Sequence, residues 1–310
     1  MNLKAMADAE KAAAELMNLC AFLTQWDGTV ISENYYGGAT VESSFHLRSI
    51  TKSVISALVG IAIEQGFIRD VNDPVLAYSP ELRAQDPDAR KEQITIRHLL
   101  TMTSGFRWIE SGDWFFSDTS SAISEAWSRP LTGSPGEVYN YDSASVDLLT
   151  VILARAARQE AKTFLVENLF GPLGIHHFEW EKDPAGYHRG SAGLVMRAQD
   201  LSKIGRLYRQ HGRWNRQQIL SPAWIEQSAA DQVRVNDVVG YGYLWRSRHI
   251  GTERLYYGMG YGGQYLMVVP GLKLVVTAFQ EWNVSNEQAD RQKYAFSERV
   301  FDPLVRAWQG

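Results

Sequence analysis

The spacing of apolar residues changes character several times along the chain. Residues 3–18 are built from good helix formers and predict a helix. The apolar and β-branched runs Cys20–Trp26 and Thr29–Tyr36 flank Asp27-Gly28, which predicts a β-hairpin. Ser49–Gly66 is different again. Val54-Ile-Ser-Ala-Leu-Val-Gly-Ile-Ala-Ile63 is apolar on nearly every helical face, the pattern of a buried central helix, and Gly66 supplies a stop.

Proline and polar residues break the pattern from about 75 to 190, and helical stretches are expected at 94–103 and 144–168. Further helices are expected at Gln199–His211 and Pro222–Ala230. Strand-like runs then follow at Tyr241–Arg248, Arg254–Gly258, Gly263–Val269 and Leu272–Gln280, the last two joined by Pro270-Gly271. Residues 286–308 predict a closing helix. Both chain ends therefore read as helix plus antiparallel strands, and the middle as mainly helical. The expected fold is α+β: an antiparallel sheet flanked by helices, built from residues 1–75 and 191–310, with a mainly helical domain inserted at 76–190.

Composition narrows the function. The chain has 310 residues, with 31 Lys plus Arg against 35 Asp plus Glu, a balance that disfavours a dedicated nucleic-acid binder. A single cysteine, Cys20, excludes an intrachain disulfide and a cysteine-based zinc cage; it is read as a buried, inert thiol. No apolar run is long enough for a membrane span. The Ala-rich, charged start has no apolar signal-peptide core, so a cytoplasmic location is expected, with a removed export signal as the alternative.

The first candidate chemistry is Ser49-Ile-Thr-Lys52 at the head of the apolar helix. Positions i and i+3 share a helix face, so the hydroxyl and the amine come within reach. A neutral lysine there can take the serine proton and create a nucleophile. The plain alternative is a helix cap beside a surface lysine. A charge at the mouth of an all-apolar helix is costly without a use, which strengthens the chemical reading, although local features alone leave the cap ahead.

Phe45-His-Leu-Arg-Ser49-Ile-Thr-Lys52 and Ile94-Thr-Ile-Arg-His-Leu-Leu-Thr-Met-Thr-Ser-Gly105 together resemble the β-lactamase-related serine hydrolases. That family includes class C β-lactamases, penicillin-binding proteins, D-aminopeptidases, family VIII carboxylesterases and aminohexanoate-dimer hydrolases. Phe170–Ile175, Gly193–Leu201 and Gly260–Tyr265 extend the resemblance over roughly residues 20–280. The resemblance implies a β-lactamase/transpeptidase-like fold, an acyl-enzyme and no cofactor. It also implies that Tyr141, which matches the family tyrosine, relays a proton to the leaving group. Tyr139, followed by Asn140, is the rival register. By position, the N–H groups of Ser49 and Tyr261 would form the oxyanion hole.

Two departures stand out. Ser143 replaces the family asparagine, and Gly258 replaces the Lys or His of the strand beside the site. Ser143 can hydrogen-bond Lys52 or a substrate carbonyl. Loss of the cation at Gly258 argues against a carboxylate anchor from that strand and favours a neutral or apolar substrate. Gly258 and Gly260 still allow the backbone to approach a ligand. Trp108 and Trp114 are candidate pocket walls; their alternative is the helical core.

Gly258-Met-Gly-Tyr-Gly-Gly263 also matches a dinucleotide-binding fingerprint, but a strand follows it where that motif needs a helix. The seven histidines show no metal spacing, and no metal is expected. The expected function is a carboxylesterase acting on small neutral or apolar acyl esters. Amide cleavage of the aminohexanoate-oligomer type comes next, then β-lactamase or D-aminopeptidase activity. The non-enzymatic alternative is a catalytically lapsed binding or sensing module. The expected partner is a small ester or amide; oligomeric state is open.

Overall fold

The computed structural model describes residues 2–110 and 121–309. An eight-stranded antiparallel sheet forms its centre. In spatial order the strands are Thr29–Tyr35, Leu19–Trp26, Leu274–Gln280, Gln264–Val269, Glu253–Gly260, Arg246–Ile250, Gly240–Tyr241 and Val233–Arg234. Leu19–Trp26 therefore pairs with Leu274–Gln280, tying the two chain ends together through the ladder. The hairpin turns at Asp27-Gly28, where both residues have positive φ, 47° and 84°. That left-handed pair matches the right-handed strand twist.

Two apolar layers sandwich the sheet, and strand alternation assigns residues to them. Along Gln264–Val269, Leu266 and Val268 enter one core while Tyr265, Met267 and Val269 enter the other. The second core is covered by the terminal helices Leu3–Ala14, Asn286–Phe296 and Asp302–Gln309. The first holds Ala198–Arg209, Thr51–Glu64 and Ser143–Ala157 in one continuous cluster. The helix Thr51–Glu64 is buried along Thr51–Ala62, as its all-round apolar surface predicts. It lies close to its neighbours: a Cβ on Gly60 would sit 2.6 Å from the Trp224 ring.

The elements differ from expectation where local geometry intervenes. The stretch expected to run 144–168 breaks at Arg158, left-handed at φ 53°, and resumes as Ala161–Leu165 with a π turn at Val166–Phe170. The helix expected at 94–103 shortens to Ile96–Leu100, closed at its start by a Thr95–His98 capping box. The single strand expected at 241–248 is two, because Leu244 takes φ 61° between them. A three-stranded sheet of Ser44–His46, Leu194–Arg197 and Phe178–Trp180 was not foreseen, its strands being too short to show a period.

Candidate active site

The serine–lysine pair begins with a strained turn. Arg48 has φ 50°, in the left-handed region that non-glycine residues avoid at a cost of roughly 1–3 kcal/mol. A single 3-10 turn, Arg48–Ile50, follows and feeds directly into Thr51–Glu64. The turn is anchored from outside: Leu47 N–H donates to Leu194 O at 2.9 Å, and Leu194 N–H donates to Thr51 Oγ1 at 3.4 Å. The Arg48 guanidinium stacks over Trp282, 4.9 Å from the ring centroid. Ser49 remains partly exposed while Lys52, three residues on, is 1% exposed.

Lys52 Nζ donates to Ser49 Oγ at 2.9 Å and to Ser191 O at 2.7 Å. It also lies 5.1 Å from the Tyr141 ring centroid. Ser191 is itself held from behind. Its N–H donates to Asp147 Oδ1 at 2.8 Å and its hydroxyl to Asp147 Oδ2 at 3.0 Å. Burial pushes the Asp147 carboxyl up to about 6, against the lowering effect of the Ser191 N–H, the Lys52 charge and the Ser191 hydroxyl.

The helix carrying Asp147 starts at the motif. Asp142 caps Ser143–Ala157, accepting from the N–H groups of Ala144 and Ser145 and from the hydroxyls of Ser145 and Ser104. Tyr139 and Tyr141 both lean on Tyr241, with ring centroids 5.3 and 6.5 Å away. Only Tyr141 has a ring contact with Lys52, and the Tyr139 hydroxyl is buried without a partner.

Ser143 is 2% exposed and donates to Glu110 Oε1 at 2.6 Å rather than to Lys52. Glu110 Oε2 accepts from Trp108 Nε1 at 2.5 Å, so Trp108 reaches this wall through the same carboxylate. Arg129 stacks on the Trp108 ring at 4.4 Å. Trp114 lies outside the described residues.

The strand Glu253–Gly260 closes the other side. A Cβ on Gly258 would stand 2.9 Å from Ser53 Oγ and 3.3 Å from Ile50 Cγ2. The strand therefore rests on the serine–lysine helix, and any side chain at this position would have to displace Ser53. A Cβ on Gly260 would meet Leu47 O at 2.4 Å and Arg48 Cβ at 3.0 Å. This close approach brings Tyr261 against the turn that carries Ser49; the Tyr261 ring centroid is 6.0 Å from the Arg48 guanidinium. The Tyr261 hydroxyl is turned away, within donating distance of Val284 O and Asn286 Oδ1 at 2.8 and 2.9 Å.

Cys20 is half-buried, with Sγ 3.6 Å from both Asn18 O and Glu281 Oε1. Burial first, and Glu281 second, push its thiol up to about 12, so it carries little thiolate. Among the described residues no group of three or more His, Cys, Asp or Glu could hold a metal ion, and no helix is long and apolar enough to cross a membrane.

Sequence reasoning missed Asp147, Ser191, Glu110, Tyr241 and Arg246, whose guanidinium carbon lies 5.0 Å from the Tyr141 ring centroid. Asp147 left a signal, as a lone carboxylate in the apolar run Val146–Leu149. The other four belong to segments whose placement depends on the tertiary fold.

An antiparallel sheet with terminal helices on one face and a buried serine–lysine helix on the other is the layout of β-lactamase/transpeptidase-like proteins. The β-lactamase family profile matches residues 20–299, and the chain belongs to that family. It is 24% identical over 292 residues to the 6-aminohexanoate-dimer hydrolase of Paenarthrobacter ureafaciens, covering 84% of this chain and 72% of that one. Esterase EstB of Burkholderia gladioli is 27% identical over 169 residues, covering 48% of this chain and 43% of the esterase. The structure of EstCE1, a hydrolase with promiscuous acyltransferase activity, matches at TM-score 0.76 and 18% identity, over 96% of this chain and 98% of that one. The family and these relatives are hydrolases.

Proposed function

We propose that this protein is a serine hydrolase that works through an acyl-enzyme on Ser49, and that its first activity is on small carboxylic esters. The observation that carries the reading is the 2.9 Å contact between Lys52 Nζ and Ser49 Oγ in a site where the lysine is buried and the serine is open. A neutral Lys52 amine receives the serine proton along that line as Oγ attacks the carbonyl carbon. The carbonyl oxygen becomes an oxyanion facing the Ser49 and Tyr261 N–H groups, an arrangement often worth several kcal/mol of barrier. Tyr141, against Lys52, hands a proton to the departing alcohol or amine. Water then enters, the same groups act in reverse, and the acid is released with Ser49 restored.

Esterase relatives support the ester reading, and the aminohexanoate-dimer hydrolase keeps amide cleavage close behind. The same reading treats residues 76–190 as an inserted helical unit that lends Tyr141 to a site otherwise built by the chain ends.

The test is an ester panel with intact-mass labelling. A fluorophosphonate should add one adduct to the wild type and none to Ser49→Ala, and p-nitrophenyl butyrate turnover should follow the label. Absence of both label and turnover toward esters, amides and lactams would leave the binding-module reading in its place.

A further inference from the structure

The turn that carries Tyr261 is held by three buried side-chain amides. Gly263 N–H donates to Gly260 O at 3.1 Å, closing the turn where the strand Glu253–Gly260 passes into Gln264–Val269. The next three carbonyls each accept from a different glutamine. Tyr261 O accepts from Gln264 Nε2 at 3.2 Å, Gly262 O from Gln292 Nε2 at 2.8 Å, and Gly263 O from Gln280 Nε2 at 2.9 Å. The amides come from three segments: Gln264 opens its strand, Gln280 ends Leu274–Gln280, and Gln292 lies on the terminal helix Asn286–Phe296. All three are buried.

The same amides tie those segments to one another. Gln264 pairs with both backbone groups of Gln280, donating to its carbonyl at 2.9 Å and accepting from its N–H at 3.1 Å. Its side chain thus takes the place of a strand partner where the ladder between the two strands has ended, at Tyr265 and Ala278. Gln292 also donates to Glu281 O at 2.8 Å and accepts from Asn18 Nδ2 at 2.9 Å. Gly262 and Gly263, at φ 83° and 86°, admit this approach, since a Cβ on Gly263 would collide with Gln280 Nε2. A buried amide is costly unless its donors and acceptor are used, and a fully used set fixes geometry more tightly than apolar packing does.

The consequence falls on the Tyr261 N–H. A trans peptide sets that N–H opposite to the Gly260 carbonyl, which is turned into the closing hydrogen bond. The N–H therefore leaves the turn on its outer side, and its direction is set once the carbonyls of residues 260–263 are tied. We propose that Gln264 is a positioning residue of the reaction, supported by Gln280 and Gln292, and that it aims the Tyr261 N–H at the oxyanion. It acts through the turn rather than on the substrate. This inference rests on the Ser49 acyl-enzyme and the Tyr261 donor proposed above, but the hold on the turn does not need turnover.

Gln264→Met keeps the length of the side chain and removes its donors. On p-nitrophenyl butyrate its kcat should fall roughly tenfold to a hundredfold with KM little changed, the scale that a misplaced group costs. The inhibition constant of phenylboronic acid, whose serine adduct places an oxygen at the oxyanion position, should rise by a similar factor. Gln292→Met, which frees Gly262 from the helix side, should show the same pattern and covers the case in which Gln264→Met fails to fold. A glutamine that only stabilises the fold would lower the thermal midpoint and leave kcat and the boronate constant of the folded protein unchanged. That result, or a rise in KM alone, overturns the proposal. Hydrogen exchange of residues 260–264, followed by mass spectrometry, reads the hold on the turn without turnover. Exchange should quicken by roughly tenfold or more in either variant, and equal exchange in wild type and both variants overturns the proposal. If wild type neither hydrolyses the ester nor binds the boronate, the Ser49 reading fails and the positioning role falls with it, whereas the exchange result still decides whether the amides hold the turn.

Discussion

Two tyrosines compete for one role, and the structure separates them enough for a quantitative prediction. Tyr139 and Tyr141 both pack on Tyr241, so phenylalanine at either position keeps the ring contact. What each substitution removes is a hydroxyl. At Tyr141 that hydroxyl belongs to the ring next to Lys52, and loss of a positioned general acid costs about 10²–10⁴ in rate, or about 3–5 kcal/mol of barrier. At Tyr139 the hydroxyl is buried without a partner, and burial pushes its phenol well above the ordinary range. Deleting an unsatisfied buried hydroxyl relieves a desolvation penalty, so Tyr139→Phe should fold equally well or up to about 1 kcal/mol better. The assay is kcat/KM on ethyl butyrate and p-nitrophenyl butyrate, paired with urea unfolding. An alkoxide leaving group needs the proton that a nitrophenolate does not, so the Tyr141→Phe loss should be much larger on the ethyl ester. If Tyr139→Phe abolishes turnover and Tyr141→Phe does not, the register is wrong. If Tyr141→Phe slows both esters equally, its proton does not go to the leaving group.

The remaining predictions concern the supports of the site. With the folded Asp147 carboxyl at about 6, above its ordinary value, its contribution to stability is present below about pH 4 and lost as pH rises through 6. A carboxyl raised from its ordinary value to about 6 carries about 3 kcal/mol of pH-dependent stability, so the urea stability of wild type relative to Asp147→Asn should fall by an amount of that order between pH 4 and pH 7. A pH-independent difference would remove the argument. Gly260→Ala puts a Cβ 2.4 Å from Leu47 O and must push the strand off the Ser49 turn, so kcat should drop about 10²–10³ through the oxyanion hole; full activity would contradict that geometry. Gly258→Lys should lower the thermal midpoint, because its Cβ comes within 2.9 Å of Ser53 Oγ and 3.3 Å of Ile50 Cγ2; an unchanged midpoint would contradict that packing.

The contact between Ser49 and Lys52 was legible because it lies within one helical turn. Ser49 and Lys52 meet because a helical turn brings positions i and i+3 onto one face, and the burial of their helix follows from its apolar surface. Asp27-Gly28 dictates its hairpin by backbone preference alone. The antiparallel character of the sheet and the pairing of the chain ends were likewise readable from periodicity.

Other features depend on distance between segments rather than on order within one. The packing of Gly258 against Ser53, where an added Cβ would come within 2.9 Å of the hydroxyl, joins a strand to a helix far away in the chain, and no periodicity reports it. Ser143 was expected to serve Lys52 or the substrate, yet its hydroxyl goes to Glu110, brought in by a different segment. Lys52 is held instead by a backbone carbonyl of Ser191, a contact that leaves no mark on side-chain identity. Arg246 is one of many charged residues in the sequence, and only the sheet register puts it across from Tyr257 and against Tyr141. Sequence thus determined the serine–lysine contact and the layers that bury it, through helix geometry and hydrophobic period. The tertiary structure decided what surrounds that pair, because the partners of a buried charge are chosen by packing across the chain.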